Sequence, residues 1–391
     1  MARVIRPETL RPETLAIHTG VYKDTAFNSV TTPIYPCSTF YFDKLGESKE
    51  YAYGRFGNPT RRALEENLAA LEGGADSLAT ATGMAALSTA IFLMKSGDHI
   101  IAGNDIYGGT WRLLDICMPR YGIETSFVAM DDPAAIRAAI RPNTKAIMIE
   151  TPSNPLLKLT DLALVSAIAK EHGLLTIIDN TFMTPLGQRP FDFGIDIVIH
   201  STTKYINGHS DVIGGAIICK DKDLARQVQQ MGICLGTVAA PFDAWLVLRG
   251  IKSFPQRMKA HWRGADAVAR YLNRHPFIKR VFYPGLESHP QHELAKRQMR
   301  QFGGIVTFEL DTAQIPISDF FSRLRFFKLA MSLGGVESLC EQPWSMSHDT
   351  MTEEARLAAG ITPEIIRLSV GNENPEDLID DLRYGLEGDE A

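Results

Sequence analysis

Short apolar segments alternate with amphipathic segments along the chain from about residue 60 to residue 220. The apolar segments are rich in β-branched residues and apolar on both faces, which is typical of buried parallel strands. They are His99–Ala102, Glu124–Ala129, Lys145–Glu150, Leu174–Asp179, Asp196–His200 and Ala216–Cys219. Helical stretches such as Arg61–Glu72 and Asp161–Glu171 separate them. The pattern predicts an α/β fold whose mostly parallel sheet is covered by helices on both faces.

The pattern changes beyond about residue 245, where longer helical stretches and isolated strands replace the regular alternation. We expect a helix over Pro255–Asn273, a strand over Gly304–Leu310 and a closing helix over Pro375–Leu386. The segment before residue 60 has little periodicity, and we expect it to pack on another subunit. The predicted parts are an N-terminal arm over residues 1–60, a large domain over 61–250 and a smaller C-terminal α/β domain over 251–391.

Composition excludes several classes of function. The chain has 391 residues, 45% of them hydrophobic, and a formal net charge of −6. A mildly acidic protein is a poor candidate for binding nucleic acid or anionic membranes, since both require clustered cationic charge. The N-terminus lacks the apolar segment of a signal peptide. The longest charge-free run, Ser77–Met94, contains several Ser and Thr residues. We therefore expect a buried helix beginning at Gly83 rather than a membrane span.

The five cysteines are scattered and form no CxxC pair. This arrangement supports neither a disulfide framework nor a zinc site, and it favours a reducing cytoplasm. The sequence also lacks the motifs of phosphate-loop NTPases, zinc peptidases, α/β-hydrolases and ordinary dinucleotide-binding enzymes. We therefore predict no metal site.

Three predicted strands end in residues that can carry chemistry. Two of them end in acids, Glu150 and Asp179, and the third ends at His200 and is followed by Ser201-Thr202-Thr203-Lys204. Because parallel strands end at the same edge of a sheet, Asp179 and Lys204 are expected to lie close together. Such a pair is either a structural salt bridge or part of a pyridoxal phosphate site. In the latter, lysine forms an imine and the acid keeps the ring nitrogen protonated.

A candidate phosphate site favours the second interpretation. Gly83 and Met84 begin an apolar helix, where free backbone N–H groups and the helix dipole attract an anion. Ser201 and Thr203 can add hydroxyl donors to the same phosphate. Together with Asp179 and Lys204, these residues predict a pyridoxal phosphate site.

Six short segments resemble the motifs of a known family. They are Tyr53–Thr60, Tyr107–Thr110, Thr151–Pro155, Ser201–Lys204, Ser332–Leu339 and Ile366–Ser369. In content and order they are similar to those of the Cys/Met-metabolism family of pyridoxal-phosphate enzymes. That family includes cystathionine γ-synthase, cystathionine β- and γ-lyases, and methionine γ-lyase. The resemblance covers about residues 14–386, and it implies fold-type I and pyridoxal 5′-phosphate as cofactor.

The resemblance implies roles around the cofactor. Lys204 would bind it covalently and later move protons, while Tyr107 would stack on its ring and reach the substrate. Asp179 would pair with the pyridine nitrogen. The phosphate would be bound by Gly83, Met84, Ser201 and Thr203, and by Tyr53 and Arg55 of a neighbouring subunit. An active site would then require at least a dimer, and the family expectation is a homotetramer.

The resemblance also implies how a sulfur amino acid would bind. Arg367, helped by Asn154 and Ser332, would hold the substrate α-carboxylate, a bidentate role suited to a guanidinium group. Arg112 would meet a distal carboxylate, unless it is an ordinary exposed helix residue. Gly109 stands where methionine γ-lyases carry Cys, which argues against methionine as the main substrate.

Other positions divide between members of the family. The sequence of residues 241–252 is most similar to plant-type cystathionine β-lyases. Glu341 stands at a position where γ-lyases often carry Glu, and residues 351–361 are similar to γ-synthases. We expect a carbon–sulfur lyase, with cystathionine β-lyase activity giving homocysteine, pyruvate and ammonia. The alternatives are a cystathionine γ-lyase, and a γ-synthase or O-acylhomoserine sulfhydrylase acting by γ-replacement. A catalytically silent relative that only binds the cofactor is a further alternative.

Overall fold

The computed structural model describes residues 9–349 and 351–388. The start of the predicted arm, residues 1–8, lies outside the described residues. In the described part, no helix is both long and apolar enough to cross a membrane.

A seven-stranded sheet forms the centre of the first part of the chain. Its strands are β1 (Asp76–Thr80), β2 (His99–Gly103), β3 (Glu124–Val128), β4 (Thr144–Glu150), β5 (Leu175–Asp179), β6 (Ile197–His200) and β7 (Gly215–Cys219). Their order in the sheet is β1-β7-β6-β5-β4-β2-β3. Strands β2 to β6 are parallel, and β7 runs antiparallel to both β1 and β6. The prediction of a mostly parallel sheet is confirmed.

Helices cover both faces of this sheet, as predicted. They are α1 (Pro12–His18), α2 (Pro59–Glu72), α3 (Gly83–Ile91), α4 (Gly108–Arg112), α5 (Pro133–Ala138), α6 (Leu162–His172), α7 (Thr184–Gly187), α8 (Lys222–Leu235) and α9 (Pro241–Ile251). One face packs on α2, α6 and α9, and the other on α3 and α8. The sheet has an apolar core on each face because successive side chains of a strand point to opposite faces. In β5, for example, Ile178 packs in the core on the first face and Ile177 in the core on the second.

A second, five-stranded sheet follows in the C-terminal part. Its strands are β8 (Ile278–Phe282), β9 (Ile305–Leu310), β10 (Lys328–Leu329), β11 (Leu339–Glu341) and β12 (Ile365–Ser369), in the order β10-β11-β12-β9-β8. The helices are α10 (Phe254–Leu272), α11 (His292–Gln298), α12 (Ile317–Arg323), α13 (Glu353–Ala359) and α14 (Pro375–Glu387). Helices α10, α12 and α14 share an apolar core with the sheet. The second α/β unit is therefore present, while the boundaries at residues 60 and 250 stay predictions.

The two sheets together position the residues that matter for chemistry. Strands β4 and β5 end side by side, with Glu150 paired in register with Asp179. In the second sheet, β11 and β12 pair Glu341 with Arg367. These two pairs of residues lie in different sheets.

Candidate active site

One cavity of about 330 Å³ lies between the carboxyl ends of the large sheet and the second sheet. Most of the residues predicted for the site line it: Gly83, Met84, Tyr107, Asn154, Asp179, Ser201, Thr203, Lys204, Ser332 and Arg367. It is also lined by residues that were not assigned a role, among them Glu150, Thr181, Phe182 and Ser347, and by Glu341. The structure thus brings the predicted cofactor and substrate residues to one place.

Lys204 lies in the turn that follows β6. Its Nζ donates a hydrogen bond to Ser332 Oγ at 2.6 Å, which links the turn to the second sheet. Burial, together with the nearby Arg367 guanidinium, lowers the pKa of Lys204 from 10.5 to about 8. At pH 7.5 about a quarter of such amines are neutral, against about a thousandth at the ordinary pKa. A neutral amine is the form that attacks a carbonyl or removes a proton.

The half-buried Asp179 and the buried Glu150 place two carboxyl groups at the floor of the cavity. Asp179 Oδ1 accepts a hydrogen bond from the Thr181 N–H at 2.9 Å. Burial raises the pKa of Asp179, and burial with the nearby Asp179 raises the pKa of Glu150 well above its usual range. Two anions this close are unfavourable in a buried site. A protonated ring nitrogen beside Asp179 would favour the charged form of that carboxyl group.

Tyr107 stands at the N-terminal end of α4, above these carboxyl groups. Its backbone N–H donates to Glu150 Oε2 at 2.8 Å, and its side chain is 40% exposed. A Cβ atom added at Gly109 would lie 2.4 Å from Tyr107 Cε1 and 2.9 Å from Met84 Sδ. The absence of a side chain at Gly109 therefore makes room for the tyrosine ring beside the start of α3.

The start of α3 has the form of an anion-binding site. Thr82 caps the helix by accepting from the Ala85 N–H at 2.8 Å, while the first amides of a helix have no partner within it. A Cβ atom at Gly83 would lie 2.9 Å from Ser201 Cβ, so only glycine leaves space at this point. Thr203 Oγ1 accepts from the Gly214 N–H at 2.9 Å, which fixes the turn leading to Lys204.

These features fit pyridoxal phosphate. The helix start can bind its phosphate, Asp179 can pair with its ring nitrogen, Lys204 can bind its carbonyl carbon and Tyr107 can stack on its ring. The individual roles remain predictions. In the structure, the start of α3, Asp179, Lys204 and Tyr107 all line a single cavity of suitable size.

Arg367 lies on β12 at the opposite wall and is only 3% exposed. Its Nη1 donates to Asn154 Oδ1 at 2.9 Å and lies 3.0 Å from Glu341 Oε1, and its Nη2 donates to the Ser332 backbone oxygen at 2.8 Å. Arg367 Nε and Glu341 Oε2 are buried without a hydrogen-bond partner among the described residues. Such groups are costly unless a ligand satisfies them, so this wall is suited to an amino-acid substrate.

Three predicted site residues lie outside this chain's cavity. Arg55 Nη1 donates to the Ile233 backbone oxygen at 2.6 Å, and Tyr53 is 41% exposed. Arg112 ends α4 and is exposed. Their proposed roles, in a neighbouring subunit's site and at a distal carboxylate, stay predictions.

Several cavity residues were missed because their position depends on distant contacts. Glu150 was not among them: the sequence places it, like Asp179, at the carboxyl end of a predicted strand, although no role was assigned to it. Ser347 gave no sequence signal: it follows a short helical turn over Pro343–Ser345 and reaches the cavity only because that segment folds back across Gly108.

Comparison with known proteins agrees with this site. Residues 13–387 match the family model described as "Cys/Met metabolism PLP-dependent enzyme". Cystathionine beta-lyase of Lactococcus lactis subsp. cremoris (strain MG1363) is 47% identical over 375 residues, which cover 96% of this chain and 98% of that relative. Cystathionine gamma-lyase of Bacillus subtilis (strain 168) is 44% identical over 378 residues, covering 97% and 100%.

A solved structure of a similar protein has the same fold as this chain. Cystathionine gamma synthase from Xanthomonas oryzae pv. oryzae, in complex with cystathionine, superposes with a TM-score of 0.95 at 46% identity, covering 97% of this chain and 98% of that one. The α/β architecture is fold-type I, and the cofactor of the matched family is pyridoxal phosphate. The match over nearly the whole chain and the cavity built around Lys204 lead to one conclusion: this chain belongs to the Cys/Met-metabolism family of pyridoxal-phosphate-dependent enzymes.

Proposed function

We propose that this enzyme cleaves the carbon–sulfur bond of cystathionine by β-elimination, giving homocysteine, pyruvate and ammonia. The observation that carries the proposal is that Ser332 joins the two halves of the site. Its hydroxyl accepts from Lys204 Nζ and its backbone oxygen accepts from Arg367 Nη2. A substrate whose carboxylate is bound at Arg367 therefore holds its Cα close to the Lys204 amine.

The chain's own residues account for most of the reaction. Arg367 and Asn154 orient the α-carboxylate, and Glu341 compensates the arginine charge within the cavity. Lys204, with its lowered pKa, takes the proton from Cα. Pyridoxal phosphate, when bound, supplies the electron-withdrawing ring that stabilises the negative charge left at Cα. The Cβ–S bond then breaks, the thiolate of homocysteine leaves, and hydrolysis of the remaining three-carbon unit gives pyruvate and ammonia.

The relatives support β-elimination of cystathionine, and Gly109 argues against methionine as the substrate. Several cystathionine beta-lyases are 44–47% identical to the chain. A side chain at position 109 would collide with the ring of Tyr107, so this site differs at that point from the Cys that methionine γ-lyases carry. Both observations favour cystathionine over methionine.

Glu341 supports γ-elimination or γ-replacement as a second candidate. Its Oε2 is buried without a hydrogen-bond partner among the described residues, next to Arg367 in the cavity wall. A γ-reaction requires a further proton transfer at Cβ, which an additional carboxylate could assist. The identities to the Bacillus subtilis gamma-lyase, 44%, and to the Xanthomonas oryzae gamma synthase, 46%, lie within the range found for the beta-lyases.

Product analysis with the purified holoenzyme separates these functions. With cystathionine, homocysteine and pyruvate in equal amounts would support β-elimination, whereas cysteine and 2-oxobutyrate would overturn it. Faster consumption of O-acetyl- or O-succinylhomoserine with a thiol would show γ-replacement instead. A Lys204→Ala variant is the control, since no product above its background would mean that the protein only binds the cofactor.

We further propose a homo-oligomer, at least a dimer and by family expectation a tetramer, located in a reducing cytoplasm. In the described part of the arm, three apolar side chains are almost fully exposed: Phe27 at 89%, Tyr41 at 81% and Leu45 at 105%. Such exposed apolar surface is typical of a region that packs against another subunit. All five cysteines are free, which supports the cytoplasmic location.

Mixing two inactive variants tests whether Arg55 serves a neighbouring site. Lys204→Ala and Arg55→Ala proteins, unfolded and refolded together, should regain about a quarter of the parental activity if sites form between two-fold related subunits. Size-exclusion chromatography with light scattering gives the subunit number. No recovery in a mixture that does form mixed oligomers would show that Arg55 acts in its own subunit or not at all.

A further inference from the structure

A closed ring of polar contacts passes through the guanidinium group of Arg367. Arg367 Nη1 contacts both Asn154 Oδ1 at 2.9 Å and Glu341 Oε1 at 3.0 Å. Glu341 Oε1 accepts from Ser347 Oγ at 2.6 Å, and Ser347 Oγ lies 2.9 Å from His348 Nδ1. His348 Nε2 closes the ring at 3.1 Å from the backbone oxygen of Asn154.

The ring joins three distant parts of the chain. Asn154 follows β4 in the large sheet, Glu341 and Arg367 lie on β11 and β12 of the second sheet, and Ser347 and His348 lie in the segment between β11 and α13. His348 is 1% exposed, so its contacts are shielded from water. A buried residue whose two ring nitrogens contact neighbours of the same arginine is suited to fixing the position of those neighbours.

The contact between His348 Nε2 and the Asn154 backbone oxygen requires a hydrogen on Nε2. The Asn154 carbonyl can only accept, so His348 Nε2 must carry a hydrogen. Burial, the Arg367 guanidinium and, more weakly, Arg356 lower the pKa of His348 to about 4, against the opposing effects of the hydrogen bond to the Asn154 backbone oxygen and, more weakly, of Asp349. The imidazole is therefore neutral at pH 7, and its Nδ1 is an acceptor. The single Ser347 hydroxyl hydrogen can serve only one of the two acceptors, and the contact to Glu341 Oε1 at 2.6 Å is shorter than that to His348 Nδ1 at 2.9 Å.

We infer that His348 and Ser347 form a positioning pair that holds Asn154 and Glu341 around Arg367 and so sets the affinity for the substrate α-carboxylate. The inference deepens the proposed function and rests on its assignment of the carboxylate to Arg367. Neither residue acts on the reacting atoms. His348 fixes the loop that carries Asn154, and Ser347 keeps Glu341 aligned with the guanidinium group.

The test compares binding and turnover in the holoenzyme. Glycine is the probe, because it has an α-carboxylate and no leaving group, and its binding can be followed by the absorbance change of the cofactor. His348→Ala should raise the dissociation constant of glycine, and KM for the sulfur substrate, about tenfold, with kcat changed by less than about threefold. His348→Gln, whose amide can still donate to the Asn154 carbonyl, should restore both to within about threefold of the parent. Ser347→Ala should raise both by about threefold.

His275→Ala is the matched control. His275 is also buried and uses both ring nitrogens, toward Glu387 Oε1 at 2.9 Å and the Phe277 N–H at 3.2 Å, but it is not among the residues lining the cavity. It should lower the melting temperature and leave glycine binding within about twofold of the parent.

Three results would overturn the inference: unchanged glycine binding in His348→Ala, a loss confined to kcat, or equal effects of His348→Ala and His275→Ala. If His348→Ala does not fold, unchanged glycine binding in Ser347→Ala overturns it equally. The outcome is separate from that of the proposed function, since a γ-lyase would change the products from cystathionine and not the binding of glycine.

Discussion

Replacing Lys204 by methionine is expected to stabilise the cofactor-free protein at neutral pH. Burial and the Arg367 guanidinium lower the pKa of Lys204 from 10.5 to about 8, so the native state holds this proton less tightly than the unfolded chain does. Below pH 8 the difference corresponds to about 3 kcal/mol of lost stability. Methionine also loses the hydrogen bond to Ser332 Oγ, which costs about 1 kcal/mol. The expected net gain is about 2 kcal/mol at pH 7.

The gain should depend on pH in a defined direction. Between pH 8 and 10.5 the native lysine is already neutral while the unfolded one still binds a proton, so the stability of the parent rises with pH. The advantage of Lys204→Met should therefore shrink above pH 8. Near pH 10.5 only the lost hydrogen bond remains, and the variant should be the less stable protein.

Urea unfolding of both cofactor-free proteins at pH 7, 8, 9 and 10 measures this effect. Protein concentration must be the same throughout, because assembly contributes to apparent stability. The exposed Lys145, replaced by methionine, serves as control and should change stability little at any of these pH values. A Lys204→Met protein that is less stable than the parent at pH 7, or a difference that does not vary with pH, would refute the reasoning.

Substitutions at two further positions test the start of α3 and the floor of the cavity. Gly83→Ala should weaken pyridoxal phosphate binding about tenfold, since the new methyl carbon would lie 2.9 Å from Ser201 Cβ; titration of the cofactor-free protein measures this, and an unchanged affinity contradicts it. Glu150→Gln should keep nearly parental kcat/KM, because burial and Asp179 raise the pKa of Glu150 and a neutral amide oxygen can still accept from the Tyr107 N–H. Glu150→Ala removes that acceptor and should lower kcat/KM about tenfold, so equal rates for the two variants would show that the contact is unimportant.

Most strands of the large sheet could be predicted, because each is a short apolar segment with its own pattern. Each of the six predicted segments differs from the observed strand by one residue at one end. Strand β1 was missed. Its sequence, Asp76-Ser77-Leu78-Ala79-Thr80, has little β-branched character, and it joins the sheet only through antiparallel pairing with β7. Such pairing between segments far apart in the chain has no local signal.

Some residues of the candidate site could also be placed from local patterns, and others could not. Asp179 and Lys204 could be placed together because β5 and β6 are parallel neighbours, and Gly83 could be placed at a helix start because Thr82 is a good cap. The roles assigned to Arg367 and Asn154 came from the family resemblance, since a lone arginine between apolar residues has no chemical signature. That His348 contacts Asn154 could not be foreseen, because 194 residues separate them.

The sequence by itself determined the alternation of strands and helices and the positions where chemical side chains follow a strand or begin a helix. These features depend on neighbouring residues, on side-chain periodicity and on capping. The tertiary structure alone decided how the second sheet faces the first, and with it the ring around Arg367 and the shared use of Ser332 by Lys204 and Arg367. The reason is physical: these contacts form only when the whole apolar core of both sheets has assembled, so no local pattern of residues encodes them.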